Sequence, residues 1–225
     1  MSGLTGGVVI AIDGPAGAGK STVGRAVAAR LGLGYLDTGA MYRGVTFGVL
    51  RRGLDPGDTE SVARVAAAIE LSVQDDGITV DGVDASIEIR GRAVTAAVSS
   101  VAANSSVRSE LVRRQREWVA ARGGGVVEGR DIGSVVFPDA ALKLYITASP
   151  RVRAERRVAE IGGDVDDVES SIIERDRKDS SRADSPLVEA SGAVVVDTSG
   201  LSITDVVDSV LRLLTPSPGS DDVAG

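Results

Sequence analysis

The chain contains no cysteine and no histidine among its 225 residues. Without thiols, disulfides, thiolate nucleophiles and cysteine-based zinc sites are excluded, which fits a reducing cytoplasm. Without imidazole, any general-base step must fall to a carboxylate, a lysine, a tyrosine or the substrate, and histidine triads cannot form. Aromatic residues make up only 3%, and the lysines are Lys20, Lys143 and Lys178 alone, so nearly all positive charge is arginine. No apolar run approaches the ~18 residues of a membrane span. The opening MSGLTGGVVIAID has no basic flank and its apolar stretch ends at Asp13, unlike a secretion signal. A net charge of −7 opposes a broad nucleic-acid surface, which needs clustered positive field. The expectation is a cytoplasmic protein that binds neither membrane nor nucleic acid and grips any anionic ligand locally.

What is present begins with glycine. Residues Gly14, Pro15, Ala16, Gly17, Ala18, Gly19, Lys20 and Ser21 form a Gly-x-x-x-x-Gly-Lys-Ser run, followed by Thr22. It directly follows the apolar stretch Val8 to Asp13 and precedes an alanine-rich helical pattern. Wrapping a chain around a polyphosphate needs inward-pointing backbone N–H groups, which glycines permit by their dihedral freedom and close approach. Lys20 then reaches the β- and γ-phosphates, Ser21 offers its hydroxyl to Mg²⁺, and the following helix aims its positive end at the anion. Asp37 is a further carboxylate near the magnesium position, through water. Phosphoryl transfer suits a chain without histidine, because it rests on positioning and on charge neutralisation by Lys, Arg and Mg²⁺.

Five short apolar runs, Val8–Ile12, Leu33–Leu36, Val126–Val127, Leu142–Ile146 and Ala193–Val196, alternate with helical patterns. Their continuous apolar character predicts strands buried on both faces, hence a doubly wound α/β parallel sheet of about five strands. With 43% hydrophobic residues the chain can bury one substantial core. Ligands of such sheets sit outside the carboxyl ends of the strands. The residues following the first three runs are the glycine loop, Asp37-Thr38-Gly39-Ala40-Met41-Tyr42-Arg43, and Gly129-Arg130-Asp131, so one site is expected there. Ser149-Pro150 marks a helix start, and a long helix from about Ser106 to Arg122 carries Val107, Leu111, Trp118 and Val119 toward the core. Between Leu71 and Ile89 the period falls to two. LSVQ, ITV and DASIEI, separated by Asp75-Asp76-Gly77 and Asp81-Gly82, predict a small antiparallel insert.

A phosphate loop does not say what accepts the γ-phosphate. Arg43 and Arg130 follow different strands and can fork onto an acceptor phosphate. Arg153, Arg156 and Arg157 share one helix face, which predicts a lid over the triphosphate; Arg153 and Arg157 are its expected ATP contacts.

The ordered set IDGPAGAGKST, LDTGAMYR, EIR, VSSVAANSSVR, RRQRE, EGRDIGSVVFPDA, ERDRKDSSR and PLVEA resembles bacterial cytidylate kinases, from Val8 to Leu214. GRDIGSVVFPDA and ERDRKDSSR are specific to that family of nucleoside monophosphate kinases. The resemblance implies Mg²⁺-assisted transfer of the ATP γ-phosphate to CMP or dCMP, with Lys20, Arg43, Arg130 and Asp131 as the catalytic set. Ser99, Arg108, Asp131 and Arg182 fall at positions around cytosine with Thr38 nearby, Arg43 and Arg130 at the acceptor phosphate, and Arg175 and Asp179 near the sugar, with Tyr42 and Gly129 as further CMP contacts. It further implies a single domain over residues 1–215, with a monophosphate-binding region at about 38–105 and a lid at about 153–175; the Pro-, Ser-, Gly- and Asp-rich residues 216–225 are expected to be disordered, and the protein to be a monomer. Departures from the family pattern are Thr38 for the commoner Ser, Glu128 for Asp and Lys178 for Arg. A UMP or AMP kinase on the same loop, or a nucleotide-gated switch, is the alternative.

Overall fold

The structure, a computed structural model, describes residues 7–214 apart from 75 and 76. The expected disordered tail and the Asp75-Asp76 turn lie outside the described residues.

A central parallel sheet has the order β2-β6-β1-β7-β8, with β1 Val9–Asp13, β2 Tyr35–Asp37, β6 Gly125–Glu128, β7 Leu142–Thr147 and β8 Val194–Asp197. All four neighbouring pairs run parallel. Successive side chains of β1 point to opposite faces and are buried on both, as a sheet sandwiched between helices requires. Ile10 and Ile12 join Val23 and Val27 of α1 (Lys20–Leu31) and Val206, Val207 and Val210 of α8 (Ile203–Leu214). Ala11 faces the other layer with Leu36, with Met41 and Val45 of α2 (Thr38–Arg51), and with Val107, Leu111 and Val119 of α5 (Ser105–Arg122). This is the doubly wound α/β arrangement that the apolar runs imply. Trp118 packs against the same core from the sheet edge, close enough that a Cβ on Gly34 would lie 2.8 Å from its ring.

The insert is a three-stranded antiparallel sheet of β3 Leu71–Val73, β4 Ile78–Val80 and β5 Val83–Asp84. Asp81 and Gly82 both adopt positive φ, 48° and 74°, which makes the two-residue turn between β4 and β5. The sheet lies on α2, where the absence of side chains at Gly44 and Gly48 admits Ile78, Leu71 and Ile69. The segment DASIEI departs from the expected strand. Asp84 turns back to accept from the backbone N–H and hydroxyl of Ser86, ending β5 after two residues, and Glu88–Arg90 forms a 3-10 turn. The alternation does not carry into burial either: Ala85 and Ile89 are buried, while Ile87, which a strand would place on their face, is exposed.

The remaining helices are α3 Thr59–Ala68, α4 Arg92–Ala102, α6 Pro150–Ile161 and α7 Val165–Ser180. Helices α6 and α7 pack on each other and follow β7, with Ser149 capping α6 through Val152 N–H. Among the described residues no helix is long and apolar enough to cross a membrane.

Candidate active site

The carboxyl ends of β1, β2 and β6 open onto one cleft of about 870 Å³, walled by the glycine loop, the first turns of α1 and α2, α4 and the α6–α7 pair. Gly14, Gly17 and Gly19 adopt φ of 141°, 77° and 89°. A Cβ at Gly14 would lie 1.9 Å from the Ile146 carbonyl oxygen, so the loop leaves β1 pressed against β7 in a path only glycine can take. Lys20 Nζ donates to Pro15 O at 2.8 Å, folding its ammonium back across the loop. Burial and the neighbouring Arg130 charge lower the Lys20 pKa, while Glu128, Asp37 and Asp13 oppose them. The first turn of α1 has no acidic residue, so its positive end stays available to an anion. Ala16, Gly17, Gly19, Lys20, Ser21 and Thr22 line the cleft; Gly14, Pro15 and Ala18 form the loop's far side.

Beside the lysine lies a carboxylate that sequence reasoning left out of the site. Ser21 Oγ donates to Glu128 Oε1 at 2.7 Å, and Glu128 Oε2 is buried with no hydrogen-bond partner. Strand pairing sets Glu128 opposite Asp37, whose Oδ1 caps α2 through Ala40 N–H at 2.9 Å. Burial, and then the Asp37 charge, raise the Glu128 pKa. A hydroxyl, an orphaned carboxylate oxygen and a second carboxylate make an all-oxygen donor set that fits a hard divalent cation. The available signal was position: Glu128 is the charged last residue of an otherwise apolar buried strand.

Facing the loop is a cluster of guanidinium groups. Arg43 donates to Ile89 O and Thr95 Oγ1 at 3.0 and 3.1 Å, and Arg130 Nε to Asp179 Oδ2 at 2.9 Å. Asp179 also pairs with Arg182, while Arg175 Nε is buried without a partner. Burial lowers Arg43 to about 10, helped by the charges of Arg157, Arg90 and Arg130. Burial lowers Arg175 to about 10 as well, helped by Arg130 and Arg43. Among the described residues Asp179 is the carboxylate that bonds into this group, and burial is offset there by Arg130 and Arg182, which hold it below the usual range. Mutually repelling, partly desolvated cations of this kind are stabilised by a bound anion.

The residues expected around a base divide in two. Tyr42, Ser99 and Arg182 line the cleft, and Thr38 lies at its edge, donating to Glu128 O at 2.7 Å. Arg108 and Asp131 do not line it: each is only 5% exposed, and they pair with each other behind the wall. Arg108 also donates to Ala102 O, and its guanidinium stands 5.6 Å from the Tyr42 ring. Burial pushes the Tyr42 hydroxyl up to about 12, with Arg108 working against it.

On α6 the three arginines do different things. Arg157 lines the cleft and makes a 3.3 Å ion pair with Glu160. Arg156 donates to Thr198 O and Oγ1. Arg153 also borders the cleft, with its guanidinium held by Ala148 O, Ala16 O and Asp176. The reason for this hold is depth: Arg153 is in the first turn of α6, under the loop, and 3% exposed.

A parallel sheet with a glycine loop between β1 and α1, a buried loop lysine and an arginine-rich second wall defines a P-loop kinase. The cytidylate kinase family model matches residues 10–216, and the chain belongs to that family. It is 49% identical over 221 residues to a cytidylate kinase of Corynebacterium diphtheriae, covering 94% of this chain and 96% of that one. It is likewise 49% identical over 216 residues to the cytidylate kinase of Mycolicibacterium paratuberculosis, covering 92% and 95%. Among solved structures, a gluconokinase from Sinorhizobium meliloti superposes with a TM-score of 0.51 at 17% identity over 92% of this chain and 91% of its own, a likeness of fold.

Proposed function

We propose that the protein transfers the γ-phosphate of ATP to CMP or dCMP, giving ADP and the pyrimidine nucleoside diphosphate. The observation that carries this reading is the arginine cluster of Arg43, Arg130 and Arg175 set across one cleft from the phosphate loop. A neutral acceptor would leave these charges uncompensated; a monophosphate neutralises them.

In this reading the loop amides from Ala16 to Thr22 hold the donor phosphates, and Lys20 leaves Pro15 O to follow the transferring group. Arg43 and Arg130 grip the acceptor phosphate bidentately and align its oxygen with the γ-phosphorus. Arg157 neutralises charge from the lid side. Ser21 and Glu128, with Asp37 through water, hold Mg²⁺, which supplies charge neutralisation on the triphosphate when bound. Residues of about 38–105 act as the monophosphate-binding region and about 153–175 as a lid that excludes water. Arg175 and Asp179 meet the sugar, while Thr38, Tyr42, Ser99 and Arg182 surround the base.

Cytosine offers an N4 amino donor beside N3 and O2 acceptors. The Asp131 carboxylate, paired with Arg108 just behind the cleft wall, becomes the acceptor for N4 when the cleft closes on the base, and Arg108 and Arg182 donate to the acceptor edge. Uracil sets O4 against Asp131, and each mismatched charged hydrogen bond costs roughly 1.5–3 kcal/mol. Its nucleotide substrates make the cytoplasm the working compartment. The test is ADP release from Mg-ATP with CMP, dCMP, UMP, AMP or no acceptor. CMP and dCMP are expected to accelerate release far above the others. Equal release without acceptor would make the protein a nucleotide-hydrolysing switch, and preference for AMP or UMP would make it a different kinase.

A further inference from the structure

The loop after β6 carries both Arg130 and Asp131 and continues into a wide turn, Ile132–Val136. Asp131 occupies the capping position of that turn, with φ −144° and ψ 23°, yet its side chain makes no capping hydrogen bond. An aspartate there ordinarily bends back onto the first amides of its own turn, which have no partner within it. The first two of those amides are instead taken by a residue from another strand. Ile132 N–H and Gly133 N–H each donate to one carboxylate oxygen of Asp13, both at 2.7 Å. Asp13 is 2% exposed, ends β1, and directly precedes the first glycine of the phosphate loop. With its capping role filled, Asp131 turns the other way and pairs with Arg108.

We infer that Asp13 is a positioning residue for base selection: by capping the Ile132–Val136 turn in place of Asp131, it leaves the Asp131 carboxylate free to meet Arg108 and the cytosine amino group. The inference rests on the reading that Asp131 recognises the base. Asp13 serves only while it can accept from both amides. Burial pushes its carboxyl up to about 6, the two amides pull the other way, and of the facing charges Asp131 raises it and Lys20 lowers it. Tyr145, its pairing partner on β7, is a further titratable neighbour. The group is therefore ionised at neutral pH. Because the same residue starts the phosphate loop, donor binding and acceptor recognition are built from one rigid point.

The test is a double-mutant cycle read as the ratio of kcat/KM for CMP to that for UMP. Asp13→Asn keeps the shape but presents an NH₂ to one of the two amides, so Asp131 is drawn back to cap its own turn. The expected result is about a tenfold fall in the CMP:UMP ratio for Asp13→Asn, carried by the KM for CMP, and no further fall when Asp13→Asn is added to Asp131→Asn. A merely structural role would lower stability, or raise the KM for ATP and CMP alike, with the ratio unchanged; that outcome overturns the inference. If Asp131→Asn itself leaves the ratio unchanged, the base-reading role fails and the inference with it. If Asp131→Asn lowers the ratio and Asp13→Asn does not, only the inference fails. Should Asp13→Asn prove too unstable to assay above pH 7, Asp13→Ser, which retains an acceptor oxygen and is smaller, takes its place with the same expectation.

Discussion

The Ser21 hydroxyl and the Glu128 carboxylate lie 2.7 Å apart although 107 positions separate them in the chain. Helix α1 brings the first and strand β6 the second, and the other Glu128 oxygen is buried with no partner. Replacing Glu128→Gln keeps the shape and the hydrogen bond to Ser21 but removes the charge that a divalent cation would use. The Mg²⁺ concentration for half-maximal rate is expected to rise on the order of tenfold, measured by titrating Mg²⁺ at saturating nucleotides. An unaltered requirement would move the metal away from this carboxylate.

Arg175 is a desolvated cation beside Arg130 and Arg43, with its Nε unpartnered. Arg175→Met should therefore separate binding from stability. CMP affinity by calorimetry is expected to weaken by roughly 10- to 100-fold, the worth of one charged hydrogen bond. The melting temperature is expected to hold or rise, because a buried repulsion is removed. A fall in melting temperature together with unchanged CMP affinity would assign Arg175 to the scaffold.

Asp13 gives the fold a pH signature. Its carboxyl titrates near 3.8 when unfolded and at about 6 when folded, because burial disfavours the ionised form. Between these values the folded state holds a proton that the unfolded state has lost, so stability falls as pH rises from about 4 to about 6 and is level beyond. The integrated loss is on the order of 3 kcal/mol. Subtracting the urea-unfolding free energy of Asp13→Asn from that of the parent at each pH isolates this contribution. A difference that stays flat from pH 4 to 7 would contradict it.

Arg153 and Arg157 sit one helical turn apart on α6 and should behave oppositely. Arg153→Leu strands the Asp176 carboxylate and the carbonyls of Ala16 and Ala148, and is expected to cost about 3 kcal/mol of unfolding free energy. Arg157→Leu removes only a solvent-screened pair with Glu160 and should change stability by less than about 1 kcal/mol while raising the KM for ATP. Comparable stability losses in the two variants would refute the distinction drawn from burial.

The phosphate loop was legible because its information is local. Three glycines, a lysine and a serine at fixed spacing between an apolar strand and a helix dictate one backbone path, and Gly14, Gly17 and Gly19 take it. The five parallel strands were legible for a similar reason: continuous apolar runs can only be satisfied between two helical layers. The segment DASIEI misled because Ala85, Ile87 and Ile89 alternate in the sequence without sharing a face, since the Asp84–Ser86 turn that stops the strand competes locally with the ladder.

By itself the sequence determined the fold class, the donor loop and which arginine-bearing segments reach the carboxyl edge, since short-range spacing and hydrophobic pattern carry all three. Only the tertiary structure decided which charges face the cleft and which are spent. Arg153 and Arg157 differ by one turn in the sequence, yet one is locked onto Ala16 O and Asp176 and the other is open to solvent. Asp131 is free for Arg108 because Asp13, more than a hundred positions away, takes the amides it would have capped. Such partnerships are set by where the chain crosses itself, and the low dielectric at those crossings makes each pairing too costly to leave unmade.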